Sequence, residues 1–370
     1  MPSSTVNKMT QIYIWLGVVI VIFGIAAYYR SQVNKKTGNV SNMKSEYTKV
    51  GTSLSTITGT DPTLTDRIMN YYIASSYNSC CAGDFQDSYV TIGALKETIK
   101  HGPRVLDFEI YSVGGKCVVA ASPFDNEHLK GTYNSLPIGQ VMAAVKEHAF
   151  SSHAPNGGDP LFLHFRIKSE REDVYEPLAN AIKFNFGSKL MEAEWGYEGR
   201  SGSNHSESKS LGFEKLITII GRVIIIASQK NDNFRKIDNP FYELVNLGSP
   251  SLYFNHLRNH DVQYAGSADG LIERNKGCVM LTMPDWSDVN TNPPVMIHQS
   301  LGCQMICVNY QNMDKNMKYY LDFFKHYAFV LKPIELRYIV EELDCPPPPD
   351  EALSFAGKQY TTEQGVKIIM

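Results

Sequence analysis

The chain has 370 residues, 43% of them hydrophobic and 20% charged, with 35 Lys and Arg against 38 Asp and Glu. That length and apolar content exclude a disordered chain and a stapled mini-protein, and leave room for one large core or two ordinary ones. The net charge of −3 gives no general basic field for nucleic acid, and seven cysteines, with Cys80 and Cys81 adjacent, suit neither a secreted disulfide framework nor a zinc site. A reducing compartment is expected.

After a short N-terminal segment (1–11), residues 12–29 (IYIWLGVVIVIFGIAAYY) run 18 residues without a charge, which predicts one transmembrane helix at 1.5 Å of rise per residue. Tyr13 and Trp15 at one end and Tyr28 and Tyr29 at the other fit interfacial belts. Lys8 alone precedes the run, whereas Arg30, Lys35, Lys36, Lys44 and Lys49 follow it, so the positive-inside bias puts the bulk of the chain in the cytosol. A cleaved signal peptide ending near Ala26 and Ala27 is the alternative, although the apolar run exceeds a usual signal core. Residues 30–62, rich in Ser, Thr, Asn, Lys and Gly without apolar periodicity, predict a flexible tether.

From residue 63 to 343, strand-length apolar runs at 71–75, 104–111, 117–122, 161–167, 222–228 and 303–310 alternate with helical candidates such as 91–101 and 135–150, the latter with Ser135 and Pro137 as start signals. The alternation predicts an α/β fold, a TIM-type (β/α)8 barrel of about 280 residues. A doubly wound open sheet is the other architecture the pattern allows, without a Gly-rich phosphate loop to make it a nucleotide binder. Residues 199–210 and 229–240 predict polar surface loops, and 344–370, with Pro346 to Pro349 in a row, a Pro-rich extended tail.

The stretches MNYYIASSYNS (69–79), LKETIKHGPRVLDFEIY (95–111), FYELVNLGSPSLYF (241–254) and GCQMICVNYQNMDKNMKYYLDFFKHYAFVLKP (302–333) resemble both halves of the catalytic barrel of eukaryotic phosphoinositide-specific phospholipase C. The resemblance implies a first half at about 63–228, a short connector at 229–240 and a second half at about 241–340, with a site at the C-terminal strand ends. It further implies two catalytic histidines and a calcium ion that lowers the basicity of the inositol hydroxyl.

The residues at the matching positions depart from that chemistry. The first histidine, in a Ser-Ser-His-Asn pattern, is Tyr77 in Ser75-Ser76-Tyr77-Asn78, and a phenol cannot carry an imidazolium's charge. The second falls at Ala121. Asn78, Asp107 and Glu109 keep three calcium-ligand positions, the two acids exchanged in order, while the last acidic ligand matches Arg166, whose guanidinium would neutralise the carboxylates in calcium's place. The phosphate-gripping lysines match Ile226 and Ser228, and an Arg-x-Tyr pair matches Leu281 and Met283. His164 shares the inward face with Arg166 by strand parity and reads as a structural histidine.

These matches predict a membrane-anchored, catalytically inactive phospholipase C-like protein that needs no calcium or other cofactor and serves as a structural or interaction module with protein partners at a membrane. An organelle membrane or the internal membrane of a virus particle are contexts for such a module. Two readings stand beside it: an active, metal-independent phosphodiesterase using Arg166 as the fixed cation, and a phosphoinositide-headgroup binder without turnover.

Overall fold

The computed structural model describes residues 3–51, 53–57, 65–125, 129–200, 210–228, 232–339 and 357–369. Most of the loop expected at 199–210, the start of that at 229–240 and the Pro346–Pro349 run lie outside the described residues. The chain divides into a body, Met1–Tyr338, and a C-terminal piece, Ile339–Met370.

In the body, the apolar runs become strands buried on both faces, as a parallel sheet covered by helices requires. Eight strands form the barrel: β1 Tyr71–Ser76, β2 Val105–Val113, β3 Leu161–Ile167, β4 Val223–Ser228, β5 Leu247–Ser249, β6 Phe254–Arg258, β7 Val279–Met283 and β8 Met305–Val308. Their order, β5-β4-β3-β2-β1-β8-β7-β6, is that of a nearly closed parallel barrel, with the seam between β5 and β6 bridged where His256 N donates to Ser249 Oγ at 3.2 Å. The register sets Asp107 beside His164 and Glu109 beside Arg166, so alternate residues of β2 and β3 share the interior, while Phe108 and Phe165 stack on the outer face.

Helices follow the strands because their caps are built in. Thr91 Oγ1 accepts from Ala94 N to start the helix Ile92–Lys100. That helix stops at His101 and Gly102, whose φ of +80° is a left-handed conformation glycine adopts freely. The helix predicted at 135–150 occupies Ile138–Ala149, behind Pro137.

Three expectations change. The run 117–122 is not a barrel strand: Lys116–Ala120 folds back antiparallel on β2, turning at Gly114-Gly115, and so forms a hairpin rising from the barrel end. The tether expected at 30–62 is helical through Tyr47, because α1, Ser3–Tyr47, runs on unbroken from the apolar segment. Its Met43 and Tyr47 are buried against the barrel, as is Ile57. In the C-terminal piece, described separately, Gln359–Thr361 pairs antiparallel with Lys367–Ile369 through a turn at Thr362–Gly365, a hairpin where an extended tail was expected.

Among the described residues the apolar part of α1 packs against nothing: Phe23 is 72% exposed and Trp15 69%. An exposed apolar helix long enough to cross a hydrocarbon layer is a candidate membrane span, distinct from the buried core helix of a water-soluble protein.

Candidate functional site

The C-terminal ends of β1, β2 and β3 bring together Tyr77, Asn78, Asp107, Glu109, His164 and Arg166, all buried. Asn78, just past β1, takes a φ of 43°, a left-handed conformation that Asn tolerates better than most side chains. The turn lets Asn78 N donate to Asp107 Oδ2 at 2.9 Å while its amide oxygen faces Arg166.

Arg166 organises the cluster. Its Nε and Nη2 donate to the two oxygens of Asp107 at 2.9 and 2.6 Å, its Nη1 to Glu109 Oε1 at 2.7 Å and to Tyr77 OH at 3.3 Å, and its Nη2 to Asn78 Oδ1 at 2.9 Å. A guanidinium has five N–H donors, and these five bonds use all of them. Tyr111 OH donates to the other Glu109 oxygen at 2.6 Å. Every carboxylate oxygen of the pair therefore has a donor, as buried charge demands.

Burial alone would push the Asp107 carboxyl up, but the guanidinium of Arg166 and the ring of His164 hold it well below its ordinary range. Burial would likewise lower Arg166, yet Asp107, Tyr77 and Glu109 raise it well above its usual value. His164 is pushed down, by burial first and by the charges of Arg166 and Arg258. Its Nε2 lies 2.8 Å from Ser228 Oγ; its Nδ1 lies 2.9 Å from Asp107 Oδ1, near in distance but off the line of a hydrogen bond. Burial raises the Tyr77 phenol despite the two arginines beside it.

The other expected positions are neutral. Ala121 is fully buried, its N–H 3.5 Å from Thr132 Oγ1. Ile226 pairs with His164 across the β3–β4 register, and Leu281 and Met283 are fully buried on β7. None of these side chains can grip a phosphate; Ser228 is engaged by His164.

Strand β6 supplies what the sequence reading missed. Arg258 Nη1 donates to Tyr77 OH at 3.1 Å and to the Pro284 carbonyl at 2.8 Å, and its guanidinium lies 3.6 Å from the Trp286 ring centroid. Lys168 Nζ lies over the same ring at 4.3 Å and reaches Asp125 at 3.0 Å. Two residues back on β6, His256 is driven down to about 3 by burial and by His164, Arg258 and Arg166. The polar, half-buried run FNHLR has no apolar signature; the one available signal was the period of two that puts His256 and Arg258 on one face.

No family profile matches the chain, and no curated protein matches it in sequence. Solved structures do match its fold. PLC21 of L. pealei superposes with a TM-score of 0.60 at 15% identity over 74% of this chain and 38% of that one, and PLC21 of S. officinalis with 0.59 at 15% over 76% and 39%. This chain thus spans under two fifths of those proteins' length. The calcium-dependent phosphoinositol-specific phospholipase C of a Gram-negative Pseudomonas species also matches, at 11% identity with a TM-score of 0.42, over 73% of this chain and 97% of that one. The body of this chain therefore has the fold of a phosphoinositide-specific phospholipase C catalytic barrel.

Proposed function

We propose that the chain is a membrane-anchored, non-hydrolytic phospholipase C-like barrel, a structural or interaction module for protein partners at a membrane, in which Arg166 takes the place of a calcium ion. The observation that carries the reading is the complete use of the Arg166 donors by Asp107, Glu109, Asn78 and Tyr77. Calcium needs six to eight oxygens at 2.3–2.6 Å, and the oxygens that resemblance assigns to it already accept from a fixed cation. The pair does not fit the ion.

The acid and base roles fare no better. Tyr77 has its oxygen between two arginines and a phenol raised by burial, so it gives up no proton near neutral pH. Ala121 has no group to offer. The Lys and Arg residues after Tyr29 favour the cytosolic side for the barrel, on an organelle or virion membrane.

The test is release of soluble inositol phosphates from phosphoinositide vesicles by the full chain, with and without calcium, against an active phospholipase C. The expected result is no release in either condition. Calcium-dependent release would overturn the metal argument, and calcium-independent release the non-hydrolytic one. The mouth cations Arg258 and Lys168 against Trp286 favour a second reading, headgroup binding without turnover. It requires saturable binding to phosphoinositide vesicles that weakens with salt.

A further inference from the structure

Among its described residues the C-terminal piece holds one regular element, the hairpin of β9, Gln359–Thr361, and β10, Lys367–Ile369. Its turn is specified locally. Thr362 N donates to the Val366 carbonyl at 2.9 Å, Val366 N donates to Thr362 Oγ1 at 3.1 Å, and Gly365, with a φ of +79°, donates to the Thr362 carbonyl at 2.8 Å. Yet every residue from 357 to 369 is exposed, Tyr360 by 51% and Ile369 by 68%. A two-stranded hairpin with neither face covered is marginal in water; a third strand or more is needed to make such a sheet stable.

The register says where further strands fit. Tyr360 pairs with Ile368, and the Thr362–Val366 bond marks the even positions as the hydrogen-bonded pairs of the hairpin. The N–H and C=O groups of Lys367 and Ile369 therefore point away from β9, along the open edge of β10. That edge is also the more apolar one, Lys-Ile-Ile against Gln-Tyr-Thr on β9, and neither strand carries a proline to block pairing.

A second β10 meets this edge antiparallel, about a two-fold axis through Ile368. Lys367 then exchanges two backbone bonds with Ile369 of the second copy, and Ile369 two with its Lys367, so no outward group of either strand is left over. Ile368 faces its own copy in a non-hydrogen-bonded pair, where side chains approach most closely, and each lysine lies opposite an isoleucine. An axis through Lys367 would set two like charges face to face, and one through Ile369 would use a single residue of each strand. The edge is complementary to itself in one register.

Resting on the membrane-anchor reading, which sets chains side by side in one membrane, we propose that this hairpin is a homodimer contact: β10 of two copies pairs about Ile368 into a four-stranded sheet in the order β9-β10-β10-β9. Four bonds between three-residue strands are weak between free chains. Chains confined to one membrane meet at a far higher effective concentration, which populates such a contact.

The test is oxidative cross-linking of the full chain in phosphatidylcholine vesicles. Cys345, outside the described residues, is replaced by Ser in every sample; the other six cysteines are buried. Ile368→Cys puts two thiols on the axis at a spacing a disulfide spans, and is expected to give a reductant-sensitive dimer. Lys367→Cys alone is expected to give none, because its two copies stand a diagonal step apart, but to cross-link with Ile369→Cys chains when the two are mixed. Ile369→Pro removes an outward N–H and no bond to β9, and is expected to lower the Ile368→Cys dimer about tenfold. No Ile368→Cys dimer in chain that resists carbonate extraction overturns the proposal alone, whether or not some other cover protects the hairpin amides from exchange. Equal cross-linking by Lys367→Cys alone and Ile368→Cys, the mark of random collision, overturns it too. Extraction of the parent chain by carbonate overturns the anchor and the proposal with it.

Discussion

Two arginines are buried at opposite ends of the barrel and held in different ways. Arg166, near the mouth, meets two carboxylates and is raised well above its usual pKa. Arg104 stands at the other end, just before β2, and its terminal nitrogens donate only to the carbonyls of Ala149, Asn156 and Asp159, at 2.7–3.2 Å. Burial lowers it to about 10, and among the described residues its Nε has no partner. Carbonyl dipoles make Arg104 a staple for the connection between the helix Ile138–Ala149 and β3. The paired charges at Arg166 solve another problem, two carboxylates that the interior cannot leave alone. A buried cation matched to charges answers the presence of those charges; one matched to dipoles answers the path of the chain.

The strongest way to break the contrast is Arg166→Met. Two buried carboxylates lose their cation, and stability is expected to fall by about 3–5 kcal/mol in denaturant unfolding. Adding Asp107→Asn and Glu109→Gln should restore most of the loss, since the charge problem leaves with the cation. A triple variant as unstable as the single one would mean that Arg166 acts through its packing. Arg104→Met strands no hydrogen-bonded carboxylate, only nearby Asp159, whose raised pKa lets it go neutral, and is expected to cost less, about 2–3 kcal/mol, through carbonyls left without donors.

The two ends also titrate oppositely. Asp107 has a folded pKa below its unfolded value, so its stabilisation is present above about pH 4 and is lost as pH falls further. Asp159, beside Arg104, is raised from 3.8 to about 6, chiefly by desolvation, despite a hydrogen bond from Ile57 N at 2.8 Å. A raised carboxyl binds its proton more tightly in the fold, so its contribution is full below about pH 4 and lost as pH rises through 6. Unfolding curves between pH 4 and 7 are expected to show the stability of the parent chain declining relative to Asp159→Asn, on the order of 1–2 kcal/mol. An increase would place the carboxylate in an ion pair after all.

The barrel was legible in the sequence because its strands carry local signals: VIIIA in β4 and MICV in β8 are apolar throughout, as strands buried on both faces must be. The mouth was legible in part. The alternation of Asp107 with Glu109 and of His164 with Arg166 assigns all four to one face, and the structure places them in one cluster. Arg258 and Trp286 were not legible, because β6 is polar and the Trp286 segment is loop; only closure of the barrel brings them to Tyr77. The docked half of α1 was missed for a related reason. Its contact face is built from Gln32, Lys36, Asn39, Val40, Met43 and Tyr47, two of them aliphatic and one aromatic, so the composition of a linker hides the period of a helix.

The last turn of that docked half reaches the Arg104 end. Tyr47 stacks on His101, Gly102 O accepts from Asn156 Nδ2 at 3.0 Å, and Asn156 in turn reaches Asp159 at 3.1 Å. Tyr47→Phe removes only the hydroxyl that bonds the Tyr310 carbonyl and should cost about 1 kcal/mol. If the ends are independent, amide exchange quickens at residues 53–57 and 101–104 and is unchanged at 76–79 and 107–109. The cost should then add to that of Arg166→Met within about 0.5 kcal/mol, as it does for sites without shared partners. A larger departure would mean that the barrel transmits the state of the α1 contact to the Arg166 cluster, and the two arginines would have to be read as one network.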